Sequence, residues 1–268
     1  MSYDYSIIKY PRTPHIQGSR LQPGDEDLSQ VPFSYIFNRH IVIEEKIDGA
    51  NSAISFDGDG NLLLQSRGHY LSLSVDEYRE RHYNPLKRWA KANQDIFFDV
   101  LSDRYVMYGE WMYAKHTVFY DALPHYFMEF DIYDREEKVF LDTKRRREMT
   151  EKMGIVSSVP VIGEGFYTKK EDILSLIGHS NYITDNHIEN LREIARMHGL
   201  DVERQVNETD NSTTMEGLYI KLEEDGVVKE RFKFVRREFV QQILASNSHW
   251  QSRPIVPNKL KEGVEFYV

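Results

Sequence analysis

Apolar and polar positions change period several times along this chain, and each change marks an element. Residues 41–45, 51–56 and 61–65 are short β-prone runs. The last two flank Asp57-Gly58-Asp59-Gly60, a hairpin signal because Asp and Gly accept the positive φ that tight turns need. Asn84-Pro85 then opens a helix with proline in its first turn, where no backbone N–H is required. Leu86, Trp89, Ile96, Phe97 and Val100 keep the 3.6-residue period, with Asn93 the one break. Residues 105–109 and 126–133 read as buried strands. Residues 142–200 read as mostly helical: Gly154 closes one helix, and Asp185 and Gly199 bracket another with Ile188, Leu191 and Ile194 on one face. Strands return over 217–222 and 231–235, followed by a helix near 238–245 and a polar tail. Residues 10–34, rich in Pro, Gly and Ser, predict an irregular N-terminal arm. Strands and helices do not alternate, which disfavours a doubly wound parallel sheet; an α+β fold with antiparallel sheets fits the order.

Composition narrows the class. With 40% hydrophobic residues, 17 Tyr and 14 Phe, the chain has the apolar surface for a real core, which excludes a disordered or collagen-like protein. Cysteine is absent, and with it disulfide scaffolds, CxxC zinc sites, iron–sulfur clusters and cysteine nucleophiles. No run of about 18 apolar residues occurs, so the expectation is a soluble, cytoplasmic protein without a membrane partner. The net charge of −9 is opposite to that of a general polyanion binder. Contact with nucleic acid must therefore be local, and two dense basic stretches offer it. Residues 144–147 are four consecutive cations, and residues 229–237 carry five cations and one acid. The first cluster falls in the first turn of a predicted helix, where cations oppose the helix dipole. A solvated helix end accounts for it, and a phosphate contact is the functional alternative. Residues 167–170 and 250–257 are further candidate substrate contacts.

Common motifs fail. The run starting at Asp57 has Leu62 and Gly68 where a calcium loop needs Gly and Glu. No P-loop, GxGxxG fingerprint, GxSxG elbow or HExxH helix occurs, and the ten histidines lack ligand spacing. What remains is a lysine at a strand-to-turn junction, in the sequence EKIDGAN over residues 45–51, with four further segments downstream. Ser66-Arg67-Gly68 follows the hairpin. Tyr108-Gly109-Glu110-Trp111 puts a carboxylate after a strand. Phe127-Met128-Glu129-Phe130-Asp131-Ile132 is an aromatic strand with acids. Glu216-Gly217-Leu218-Tyr219-Ile220-Lys221 is followed by Arg231-Phe232-Lys233-Phe234. Period-two geometry puts Lys229, Arg231 and Lys233 on one face of the last strand and Phe232 and Phe234 on the other.

In this order the segments resemble motifs I, III, IIIa, IV and V of the covalent nucleotidyltransferases, which include ATP-dependent DNA ligases, RNA ligases and capping enzymes. EKIDGAN is most similar to the RNA ligase 2 branch, and the resemblance spans residues 40 to 240. It implies an antiparallel-sheet, ATP-grasp-like nucleotidyltransferase domain over 41–240 with a helical insert around 142–200. Residues 1–40 would be an arm packed on that core and 241–268 a short extension. Only about 30 residues follow motif V, which leaves no room for a C-terminal OB-fold and favours the RNA ligase branch.

The resemblance also implies roles. Lys46 is the nucleophile that attacks the α-phosphate of ATP and forms lysyl-AMP. A free lysine, with a pKa of about 10.4, is neutral in only about one molecule in a thousand near pH 7.4, so its surroundings must help. Lys233, with Arg231 in the position usually held by lysine, would supply a cationic field and a phosphate clamp. Glu110 and Glu216 would bind the ribose and a divalent metal, Mg²⁺ or Mn²⁺. Phe130, with Phe127 as rival, would stack on adenine. Arg67 would approach the nucleotide phosphates or the 5′-phosphate of the polynucleotide. Glu45, Ile47 and Asn51 would lie near the nucleotide, Glu45 through its backbone.

The activity expected is joining of RNA 5′-phosphate and 3′-hydroxyl ends, as in a nicked duplex, by way of an adenylylated 5′ end. End-healing enzymes would be its partners. Three alternatives stand beside this reading. One is a DNA ligase or GTP-using nucleotidyltransferase, and one is a non-catalytic RNA-end-binding protein of the same fold. The last is a chance motif set on an unrelated α+β enzyme.

Overall fold

The computed structural model describes residues 3–21, 25, 27–74, 78–245 and 253–266. In chain order its strands are β1 (His15–Ile16), β2 (Gln30–Val31), β3 (His40–Lys46), β4 (Ala50–Phe56), β5 (Leu62–Ser66), β6 (Tyr105–Trp111), β7 (Phe127–Asp134), β8 (Val139–Leu141), β9 (Ser157–Ser158), β10 (Val161–Phe166), β11 (Gly217–Glu224) and β12 (Val227–Val235). The helices are α1 (Asn84–Ala92), α2 (Gln94–Leu101), α3 (Thr143–Met153), α4 (Lys170–Leu174), α5 (His187–Met197), α6 (Val202–Asn207) and α7 (Arg237–Ala245).

The strands form one hydrogen-bonded path, β10-β3-β11-β12-β8-β7-β6-β4-β5, antiparallel throughout. β1 joins β12 in parallel, and β9 joins β7. The α+β class with a large antiparallel sheet is thus the one the residue pattern predicts. The hairpins behave as their turn residues require: β4 pairs β5 across a turn with Gly60 at φ 79°, and β11 pairs β12 across Asp225 and Gly226, both at positive φ.

Among the described residues, three large apolar clusters fill the layers, with a smaller fourth around Phe119, Leu191 and Val256. One lies under α1 and α2 around Trp89, Phe97, Trp111 and Phe127. A second collects Ile47, Tyr108, Met128, Phe130 and Phe239. The third holds Ile41, Ile43, Leu218, Ile220 and Phe232, with Phe234 packed against it, as the period-two reading of β12 expects.

Two predicted elements need correction. The helix opening at Asn84 is two helices, broken at Asn93, whose φ of −111° and ψ of 16° leave the helical region. Asn93 is the position that failed the 3.6 period, and its side chain accepts the end of α1 by donating to the Trp89 carbonyl. The stretch 142–200 is not a helical insert. α3, α4 and α5 are present, but β9 and β10 lie between them, and β10 is the edge strand beside β3. Its Val, Ile and Phe carry strand propensity, but Gly163 and Gly165 interrupt the run and weaken the strand signal.

α3 also corrects the reading of the 144–147 cluster as a solvated helix end. Lys144 and Arg147 are exposed, but Arg146 is fully buried and pairs with Glu44 and Glu129 (2.9 Å to the latter). The helix carries its own anionic cap, Asp142 accepting from the Arg145 N–H, which offsets cations in the first turn. From there a buried chain of charges crosses the molecule. Lys221 pairs with Glu44 (2.9 Å) and Asp131 (3.3 Å), and Arg231 reaches Asp131 (3.2 Å). Three acids meet three cations, so each buried charge has a partner, the condition under which such a network is tolerated.

Candidate active site

β3 delivers Lys46 at its last residue. β11 runs antiparallel beside it, Gly217 opposite Lys46, so Glu216 lies immediately beyond the strand end. A Cβ on Gly217 would stand 1.8 Å from the Phe234 carbonyl oxygen, so glycine is what allows β11 to close on β12 here. The Lys46 ammonium sits 2.7 Å from the Glu216 carboxylate, two groups 170 positions apart in the chain. The turn after Lys46 is fixed from below. Asp48 accepts from the Thr117 and Val118 N–H groups (2.7 and 3.1 Å) and donates its own N–H to the Tyr120 hydroxyl. A Cβ on Gly49 would meet Met112 Sδ at 2.5 Å and the Trp111 carbonyl oxygen at 3.2 Å.

β4 returns with Asn51 opposite Glu110 of β6. Both carry a buried oxygen without a hydrogen-bond partner, Asn51 Oδ1 and Glu110 Oε2. Phe130 arrives through a β-bulge: Tyr108 pairs with Asp131 and Gly109 with Glu129, which leaves Phe130 unpaired and re-aims it. Tyr10 of the N-terminal arm packs edge-on against its ring at 5.0 Å.

These residues line one cavity of about 990 Å³, together with Glu45, Ile47, Asp48, Arg67, Tyr219 and Lys233. Of the ten site residues expected from sequence, the fold brings nine to this cavity: Lys46, Glu45, Ile47, Asn51, Arg67, Glu110, Phe130, Glu216 and Lys233. It separates Arg231, which lies behind the wall, bound to Asp131 with its guanidinium 4.2 Å from the Phe140 ring. Phe127, the rival of Phe130, is fully buried in the other core, pressed against Gly109. Glu45 turns its side chain away from Lys46 and accepts from Ser180 and from Asn181.

The electrostatics differ from expectation in sign at Lys46. Burial works to lower its pKa, but Glu216, then Glu110 and Asp48, outweigh burial and hold it above the ordinary lysine range. The cationic field is present at Lys233, whose pKa is lowered by burial and by Lys46, against the pull of Asp25. Burial pushes the Glu110 carboxyl up to about 8, Lys46 opposing, and pushes Glu216 up to about 7. Both shifts arise first from burial, with Lys46 opposing each.

Sequence reasoning missed several cavity residues. Tyr10 and Thr13 come from the arm, where β1 lies along β12 with His15 opposite Lys233. Asp25 from the same arm binds the Lys233 ammonium and also His15 (3.1 Å). His82 and His116 line the cavity as well, and no motif marks them; Arg253, from the candidate tail 250–257, lines it too. Of the candidate tail 250–257, residues 250–252 lie outside the described residues. Lys170 is exposed and pairs with Glu171.

The fold is one that known proteins share. The structure superposes on solved RNA ligases from Naegleria gruberi. A variant with ATP and Mn has 16% sequence identity and a TM-score of 0.53, covering 90% of this chain and 59% of that one. A variant with AMP and Mn gives 17% and 0.54 over 90% and 60%, and the ligase with PPi gives 15% and 0.53 over the same shares. The chain thus spans about three fifths of the length of these relatives. No curated protein sequence matches it. The RNA ligase family profile matches residues 39–235, and the chain belongs to that family.

Proposed function

We propose that this protein is an ATP-dependent RNA ligase that joins 5′-phosphate and 3′-hydroxyl ends through a lysyl-AMP intermediate on Lys46. The observation that carries the reading is Lys46 held 2.7 Å from Glu216 in a cavity that also holds Glu110, Asn51, Phe130 and Lys233. The family supports a polynucleotide ligase. The structural neighbours with ATP, AMP and Mn support a nucleotide and a divalent cation as its ligands.

The residues fit a metal that is shared with phosphate. Among the described residues no cluster of three acids or histidines could hold an ion alone. Glu110 and Glu216 supply two hard oxygen donors of elevated pKa, and Mg²⁺ is commonly held by one or two carboxylates with substrate phosphates completing its shell. Bound there, the cation would neutralise phosphate charge.

The chain's own residues do the rest. Glu216 keeps Lys46 protonated and unreactive in the ligand-free protein. A cation held by Glu110 and Glu216 would weaken the pull that holds that proton, while burial and the Lys233 charge favour the neutral amine. The neutral amine, its proton released to solvent, would then bond to the α-phosphorus as the P–O bond to pyrophosphate breaks, and the second N–H proton would also pass to solvent. Phe130 offers a face for adenine, and Asn51 Oδ1 and Glu110 Oε2 are acceptors already desolvated for a ribose hydroxyl or its like. Transfer of AMP to an RNA 5′-phosphate and attack by a 3′-hydroxyl would complete sealing.

Intact-protein mass after incubation with ATP and Mg²⁺ tests this. A single AMP-sized adduct on the wild type, absent from Lys46→Ala and from a GTP control, is expected. Nicked RNA and nicked DNA substrates then distinguish the branches. Absence of any adduct, even after pyrophosphate treatment to strip pre-bound AMP, would sink the reading.

A further inference from the structure

Three hydroxyl groups on the cavity wall run in single file to a buried carboxylate. Tyr10 and Thr13 come from the N-terminal arm and Tyr219 from β11, and all three line the cavity together with Phe130. The Tyr10 hydroxyl donates to Asp131. The Tyr10 and Tyr219 hydroxyl oxygens are 2.7 Å apart, and those of Tyr219 and Thr13 are 2.9 Å apart. Both rings pack near Phe130, Tyr10 edge-on at 5.0 Å and Tyr219 with its centroid at 6.5 Å. Among the described residues the Thr13 hydroxyl has no hydrogen-bond partner besides Tyr219. The transfer chemistry makes no use of these three groups.

Counting protons fixes the direction of the chain. Its three bonds need three protons, and Asp131 offers none, because it pairs with Lys221 (3.3 Å) and Arg231 (3.2 Å). Burial opposes its ionisation, but those two cations outweigh burial and hold its pKa below the ordinary value. Burial raises the pKa of both tyrosines, so each keeps its proton. Tyr10 gives its proton to the Asp131 bond, so its oxygen accepts from Tyr219, and the Tyr219 oxygen accepts from Thr13. Reversing that order would break the charge-assisted bond at Asp131, which is the strongest of the three. Thr13 has then directed its proton inward, and toward the cavity its hydroxyl can only accept.

We propose that Thr13, polarised through Tyr219 and Tyr10 by Asp131, is a specificity-determining residue that accepts from the 6-amino group of adenine and turns away purines with a 6-oxo group. A purine stacked on Phe130 presents at position 6 either an amino group, which donates, or a carbonyl, which accepts. The amino group meets the Thr13 lone pairs. A carbonyl would set two acceptors against each other with no proton between them, beside a threonine only 7% exposed, where water cannot easily relieve the mismatch. The inference rests on the ligase reading for ATP as the nucleotide and extends it to how ATP is told from GTP.

Equilibrium binding tests this without requiring turnover. Isothermal titration calorimetry would compare ATP, purine riboside triphosphate, which has only hydrogen at position 6, and ITP, which has a carbonyl there. Wild type should bind purine riboside triphosphate about tenfold and ITP about a hundredfold more weakly than ATP. Thr13→Val removes the acceptor, and the three nucleotides should then bind within about threefold of one another. Tyr10→Phe keeps the ring but frees Tyr219 to donate to Thr13, and Thr13 to donate to a carbonyl. ITP should then gain about tenfold while ATP changes by less than about threefold. The proposal is overturned if wild type binds all three equally or binds none. It is equally overturned if both variants, folded by circular dichroism, keep the wild-type ratios or weaken all three nucleotides alike, as a merely structural role would. Failure of bound ATP to leave an AMP adduct would instead sink the ligase reading, and the two failures are read from separate experiments.

Discussion

Replacing Glu110 with glutamine should stabilise the ligand-free protein, and increasingly so as pH rises. The carboxyl is displaced from its ordinary value near 4.5 to about 8, chiefly by burial. A raised folded-state pKa means the folded protein binds the proton more tightly than the unfolded chain. The group's contribution is most favourable below pH 4.5 and is lost as pH climbs through 8. Taken in full, that displacement makes wild type lose about 3 kcal/mol between pH 5.5 and 8.5 that a neutral glutamine does not lose. Because Glu110 sits on a cavity wall that water can reach, we expect about 1–2 kcal/mol. Urea unfolding of wild type and Glu110→Gln at pH 5.5, 7.0 and 8.5 measures it, with the difference in midpoint times slope as the readout. Added Mg²⁺ and ATP should reverse the ranking at pH 8.5 by stabilising only the protein that keeps its carboxylate. A wild-type-to-variant difference that is flat with pH, or that grows in favour of wild type as pH rises, would refute the argument.

Three further outcomes follow from the same geometry. Arg146→Met removes the ion-pair partner of buried Glu129 and one of the two cations on Glu44 and should cost about 3–5 kcal/mol in chemical denaturation; a loss below about 1 kcal/mol would mean the network is not buried as described. Gly49→Ala places a methyl 2.5 Å from Met112 Sδ, which can swing away, and 3.2 Å from the Trp111 carbonyl, which cannot. We expect about 1–3 kcal/mol of destabilisation and a larger proportional fall in the rate of adduct formation, since the strained turn carries Lys46 and Asp48. Asp25→Asn releases the Lys233 ammonium from a carboxylate that a phosphate must otherwise displace, so ATP should bind about two- to fivefold more tightly by calorimetry. Weaker binding would show that Asp25 orders Lys233 rather than competing for it.

How far the site was legible in the sequence depended on whether one strand or two were needed to define it. Lys46, Glu110, Phe130, Glu216 and Lys233 were singled out by motif resemblance, each at a strand end or on one face of a strand, and the fold brings all five to one cavity. Arg231 shares its face of β12 with Lys233, and period two alone could not show that Asp131 of β7 intercepts it two residues short of the cavity. Arg146 lies on the stripe Thr143, Arg146, Thr150 and Met153, all buried, whose spacing is helical. Two threonines and an arginine do not read as a core face, so the signal was present in position but not in chemistry. The arm carried none: Asp25 and Tyr10 reach the site only because β1 pairs with β12.

Lys46 shows why the distinction matters for mechanism. Its neighbours in sequence, Glu45 and Asp48, suggest a lysine among acids, and the basic run of β12 suggests the opposite. The balance is set by Glu216, 170 positions away and 2.7 Å distant, which keeps Lys46 protonated. A site in which the same carboxylates hold the proton on the nucleophile and attract the cation that draws their charge off it need not spend its lysine before both ligands have arrived. That coupling requires the carboxylates to carry charge at the working pH, and the Glu110→Gln titration, which reads where Glu110 ionises in the folded protein, tests it directly.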